Sequence, residues 1–129
     1  MVKLNAVLTM TRNVVQFIEP AQMERLQSLV NLTVPEELDK SEDGYSAFLK
    51  ETGAEIAITG WGAPKLTEKV YSENPQLKYM AHLTGTVRQM LDKACIEKGL
   101  TVTNWGGLIG PTVAEGALMA ILSCLLCLK

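Results

Sequence analysis

The chain has one histidine and three cysteines in 129 residues, and no block of lysine or arginine anywhere along it. Each scarcity closes a class of function. Fourteen acidic residues against twelve basic ones give a net charge of −2 and a pI near 5.4, so nothing is built to neutralise a phosphate backbone. Nucleic acid is therefore not an expected partner. An odd set of thiols, Cys95, Cys124 and Cys127, set in apolar surroundings of helical character, reads as reduced cysteine in a cytoplasmic protein rather than a disulfide framework. Cys124 and Cys127 have C-x-x-C spacing, but they fall late in an apolar helix with no second ligand pair, so neither a metal nor a redox role is expected. No apolar stretch of signal-peptide type follows Lys3. The longest apolar run, Leu118 to Leu128, is broken only by Ser123; its eleven residues fall short of the ~20 that cross a bilayer, so no membrane partner is expected. There is no internal repeat, no Ser-His-Asp set and no persuasive pair of carboxylates. No catalytic residue is assigned.

What remains is the pattern of one α/β domain with enough length to bury a core unaided. Lys3 to Thr9 reads as a first strand, and Pro20 opens a helix carrying Met23, Leu26, Leu29 and Val30 at helical spacing. Leu32 to Val34 makes a short second strand before an acidic loop. Tyr45 to Thr52 is a helix stopped by Gly53, and Ala54 to Thr59 is the clearest strand, ended by Gly60-Trp61-Gly62. A helix over Leu66 to Ser72, a strand over Leu77 to Leu83, a helix over Val87 to Lys98 with Gly99 at its end and a strand over Thr101 to Asn104 follow. Strands separated by helices predict a flavodoxin-like three-layer sandwich with a parallel sheet of about five strands, its binding loops at the carboxyl ends of the strands. In the final segment Thr112 and Glu115 have capping-box spacing, and the helix they would open is apolar on nearly every side. Such a helix calls for a covering partner, so a homo-oligomer formed through it is expected. The domain reading is 1–111 for the sandwich and 112–129 for the helix.

From Ala54 onward the succession AEIAITGWG, then PQLKYMAHLTGTVRQMLDKACIEKGLTVTN, then a short loop into TVAEGAL, resembles the D-isomer-specific 2-hydroxyacid dehydrogenase family. The agreement spans several separated elements over roughly 75 residues, which makes it more specific than a single motif. The resemblance implies the substrate-binding domain of an NAD-dependent oxidoreductase that interconverts small 2-hydroxy and 2-oxo acids by hydride transfer. It also implies that the cofactor domain, with the GxGxxG loop and the catalytic arginine, glutamate and histidine, lies beyond this sequence, so that NAD is bound mainly elsewhere and this chain is inactive alone. A different class stays open: a non-catalytic flavodoxin-like module of the corepressor type.

The resemblance places Leu83, Thr84, Gly85 and Thr86 in the short glycine loop whose backbone amides hold the substrate carboxylate. A run of amides at a helix N-terminus is a sound anion site, and Gly85 would let the ligand approach. Trp61 would wall the pocket, and Arg88 would supply charge recognition because His82 occupies a position where many members carry arginine. Gly85 and Val113 fall on the cofactor side. Trp105-Gly106-Gly107-Leu108-Ile109-Gly110 fails as a dinucleotide fingerprint, since Trp105 stands at the first glycine position and no acidic residue follows at the ribose-binding distance.

Overall fold

A computed structural model describes residues 2–10, 15 and 18–127. Its elements, in order, are β1 (Asn5–Leu8), α1 (Pro20–Leu29), β2 (Asn31–Thr33), α2 (Glu42–Thr52), β3 (Ile56–Thr59), α3 (Glu68–Glu73), β4 (Tyr79–His82), α4 (Lys93–Glu97), β5 (Thr101–Thr103) and α5 (Gly110–Cys127). The five strands form one parallel sheet in the order β2-β1-β3-β4-β5. This is the doubly wound flavodoxin-like order expected from the alternation of strands and helices.

The strand registers decide which side chains meet. In parallel strands residues in register share a face, so Val7, Ala57, Met80 and Val102 form one apolar row. That row packs with Tyr45 and Leu49 of α2, Val70 of α3 and Cys95 of α4, all essentially inaccessible to water. On the opposite face Ala6, Leu8 and Ile58 pack with Met23 and Leu26 of α1. Three layers result. The helix ends follow local chemistry: Ser41 Oγ accepts from the Gly44 amide at the start of α2, and Gly53, at φ 58°, closes its end in the left-handed conformation. Gly99, at φ 106°, has the same role after α4, as its position in the sequence suggested.

Two helices depart from the sequence reading. The expected helix over Val87 to Lys98 shrinks to Lys93–Glu97, because residues 90–92 pair with Leu66 instead of coiling. Leu66 N donates to Met90 O at 2.9 Å, and Asp92 N to Leu66 O at 3.1 Å. Tertiary pairing has outweighed local helix preference here. At the C-terminal end α5 begins at Gly110, so Thr112 and Glu115 lie inside the helix and Thr112 is not its cap. Pro111 explains the earlier start, since its fixed φ suits a first turn whose N–H groups have no partner in any case. With those added residues α5 reaches 18 residues, apolar and long enough to cross a membrane by length and composition, which the eleven-residue run alone was not. Every described residue from 103 to 127 is exposed.

Beneath the sheet, Tyr45 is 1% exposed, and neither its hydroxyl nor that of Thr9 has a hydrogen-bond partner among the described residues. Burial pushes the phenol up to about 12. Below pH 10 the phenol is neutral both folded and unfolded. Between the unfolded value of 10.0 and the folded value of about 12 only the unfolded chain ionises, so stability falls as pH rises through that window. The loss from this group amounts to roughly 2–3 kcal/mol. Tyr45→Phe should therefore be near neutral at pH 7 yet delay alkaline unfolding, whereas Leu49→Ala should cost ~2–5 kcal/mol at any pH by opening a cavity. Urea titrations at pH 7 and pH 11 would separate the two behaviours.

Candidate functional site

Where the strand order reverses, between β1 and β3, the loops leaving the sheet diverge and leave a crevice at the carboxyl ends of the strands. Two adjoining hollows occupy it, sharing Trp61, Thr84 and Trp105. The larger, about 630 Å³, is mostly apolar, with Met10, Ile18 and Leu83 among its walls and Gln22 at its edge. The other, about 470 Å³, is lined by the β3 exit (Gly60 to Gly62), by His82, Thr84, Gly85 and Thr86 at the β4 exit, by Gln89 and Met90, and by Ile109 and Val113 at the root of α5.

Trp61, Leu83, Thr84, Gly85 and Thr86 are thus brought together as the sequence suggested, and Val113 joins Gly85 in the same hollow. Arg88 is not brought in. Its side chain is exposed and lines neither hollow, and its backbone N–H donates to Thr86 Oγ1 at 3.3 Å. The physical rationale for the glycine loop also needs correction, because no helix begins after Thr86. The amides of Gly85, Thr86 and Val87 are not the first turn of a helix; they belong to an open loop and donate to no group among the described residues. Their availability to a ligand comes from that lack of partners, without help from a helix dipole.

The loop is held from three sides. Trp105 N donates to Thr84 O at 3.4 Å, and Asn104 Nδ2 donates to Gly85 O at 2.6 Å while Asn104 Oδ1 accepts from Gly106 N at 3.0 Å. Its far end is anchored by the Leu66 pairing and by Asp92, which takes Lys65 Nζ at 2.6 Å and Glu68 N at 3.0 Å. The lysine and that amide hold the Asp92 carboxyl below its usual range.

Under the loop sits His82. It is 3% exposed, with Nδ1 at 2.9 Å from Thr59 Oγ1 and Nε2 at 2.6 Å from Thr84 Oγ1. Burial lowers its pKa from the ordinary histidine value, so the ring is neutral at pH 7. The lining residues that sequence reasoning missed, Met10, Ile18, Gln22, Gln89, Met90 and Ile109, are mostly apolar or flank loops. Met10 had a usable signal, as the first residue past the expected strand Lys3 to Thr9, and so had Ile109, in the loop before the last helix. Among the described residues no group of acidic, histidine and cysteine side chains could hold a metal. Cys95 is buried, its thiol pushed up by that burial, and Cys124 and Cys127 are free and exposed on α5.

Neither protein-family models nor curated proteins give a match to this chain. Among solved structures it is similar to a protein of Polaromonas sp. JS6 66 named as a D-isomer specific 2-hydroxyacid dehydrogenase, NAD-binding, at a TM-score of 0.60 and 21% identity. That likeness establishes the fold. The match covers 79% of this chain and 29% of the other, so the chain corresponds to less than a third of that protein's length.

Because Asn104 ties the two loops that face each other across the hollow, Asn104→Ala should free the Gly106 amide and loosen Gly85. The expected stability loss is small, about 0.5–1.5 kcal/mol. Hydrogen exchange should accelerate at residues 104–106 and leave the β3 and β4 amides unchanged; uniform acceleration across the sheet would contradict this assignment.

Proposed function

We propose that the chain is the substrate-side domain of an NAD-dependent oxidoreductase acting on small D-2-hydroxy and 2-oxo acids. The observation that carries the reading is the pair of amides at Gly85 and Thr86, which line the hollow beside Thr84 at the mouth of β4 and have no hydrogen-bond partner among the described residues. Backbone N–H groups and a hydroxyl suit a carboxylate, which accepts from several donors at once. A hollow of about 470 Å³ has room for a small acid beside part of a larger co-ligand, and the adjoining hollow is walled mostly by apolar side chains. The named function of the Polaromonas protein and the succession of motifs from Ala54 onward support the same reading.

A nicotinamide cofactor would supply the hydride chemistry. The residues here fit only its margin: Gly85 and Val113 line the hollow where a ring would meet the substrate, but the loop Trp105 to Gly110 lacks the first glycine of a dinucleotide fingerprint. The single histidine is buried with both nitrogens engaged by threonine hydroxyls, which leaves no free acid or base in the cleft among the described residues. Catalysis therefore needs groups from outside the described residues, and the chain alone binds without turning over.

The exposed helix α5 supports a second part of the reading, association with another copy. Leu118, Met119, Ile121, Leu122, Leu125 and Leu126 are between 52% and 72% exposed and surround the helix axis. Each such side chain left in water forfeits roughly 1.5–3 kcal/mol relative to burial. Leu128, which belongs to the same apolar run, lies outside the described residues.

Two measurements test this. In an NMR titration with pyruvate, weak binding should move the amides of Gly85 and Thr86 more than those of α2 or β2; shifts confined to other regions would refute the carboxylate site, and NADH oxidation by the isolated chain should stay at background. Light scattering in detergent-free buffer should give a dimer or larger species. A clean monomer at high concentration, or transfer into lipid vesicles in preference to self-association, would reject the second part.

A further inference from the structure

We infer that His82 is a positioning residue that presets the Thr84 hydroxyl as a hydrogen-bond donor to an acceptor oxygen bound in the cleft. This rests on the carboxylate reading above and adds a residue and a direction to it.

The argument is a count of protons along the buried chain Thr59 Oγ1, His82 Nδ1, His82 Nε2, Thr84 Oγ1, whose contacts are 2.9 Å and 2.6 Å. A neutral imidazole carries one N–H, so one of its nitrogens donates and the other accepts. Thr59 is 1% exposed, and among the described residues its hydroxyl has no partner besides the ring. If Nδ1 donated to Thr59, the hydroxyl proton of Thr59 would be buried with no acceptor. Burying an unsatisfied donor is unfavourable, so Thr59 must donate to Nδ1. The ring proton then sits on Nε2 and is given to Thr84 Oγ1.

Thr84 has now accepted from the ring, and its own proton is left to point elsewhere. Thr84 lines both hollows, so the direction left open to that proton is the cleft. With the amides of Gly85 and Thr86, which line the same hollow and have no partner among the described residues, it makes a recess in which two N–H groups and a hydroxyl are left to donate. Such a recess favours carboxylate or carbonyl oxygens and rejects ligands that present a donor to it. Its attraction for an anion also needs no cation in the floor, in keeping with the exposed position of Arg88.

Because the chain has a single histidine, nitrogen-15 spectra of the histidine-labelled, full 129-residue protein report this ring alone. The expected result at neutral pH is a neutral ring with Nε2 protonated and Nδ1 bare. A ring protonated on Nδ1, or on both nitrogens, would overturn the inference without any variant or ligand.

The second arm is pyruvate binding. Thr84→Val should weaken it about tenfold and Thr84→Ser should stay within about twofold of wild type. His82→Phe, which keeps a ring but removes both hydrogen bonds, should weaken binding several-fold, and the double variant should bind no worse than Thr84→Val alone. Additive losses would show that His82 acts independently of Thr84 and would sink the inference. If wild type does not bind pyruvate at all, the carboxylate reading fails, while the ring tautomer still decides whether the hydroxyl is preset.

Discussion

The registers of the four adjacent strands β1, β3, β4 and β5 are the constraint on which the rest of the structure depends. Register fixes Val7, Ala57, Met80 and Val102 as the apolar row facing α2 to α4. Two residues further along each strand, the same alignment sets Thr9, Thr59, His82 and Asn104 side by side at the carboxyl edge of that face. A one-residue slip in any strand would exchange faces and break both rows at once. Core and site are therefore specified by one set of backbone hydrogen bonds. The apolar row supplies the burial that holds the sheet together, and the polar row converts its edge into a floor of hydroxyl, imidazole and amide groups.

The polar row is the costlier part, and the structure shows how its cost is contained. Thr59, His82 and Thr84 satisfy one another, and Asn104 is spent on the backbone of the neighbouring loops. Thr9 is the exception, buried like the Tyr45 hydroxyl with neither group hydrogen-bonded among the described residues. Elsewhere in the interior Asn74 is fully buried, but its amide donates to Ser46 Oγ and Val70 O and its oxygen accepts from Gln76. The interior thus tolerates polar groups where they are paired, and the loop of residues 84–92 inherits its shape from such pairs rather than from helix formation.

Helix α5 stands apart from this logic. The sandwich is closed without it, and all its described residues remain in water. Its first turn nevertheless contributes Val113 to the cleft wall, with Ile109 just before it. Whatever covers the helix would therefore lie close to the site, so covering the apolar surface and completing the cleft are linked by geometry.

The alternation of strands and helices and the stops at Gly53 and Gly99 were legible in the sequence, because each depends on neighbours within a few residues along the chain. So was the grouping of Trp61 with residues 83–86, because loops at the carboxyl ends of neighbouring parallel strands must converge. Three things were not legible. The stretch from Val87 has helical periodicity, yet Leu66, more than twenty positions earlier, takes its backbone into a strand-like bridge. Arg88 has the charge suited to an anion site yet lies exposed and lines neither hollow, because the path of that loop is set by tertiary pairing and not by a helix. And His82, read from sequence as a departure from a basic position, becomes a neutral link between two threonines only because register brings Thr59 beside it. Local chemistry determined the elements of this protein; which nitrogen, hydroxyl and amide face the cleft was decided by contacts between residues distant in sequence, which only the folded sheet brings within hydrogen-bonding distance.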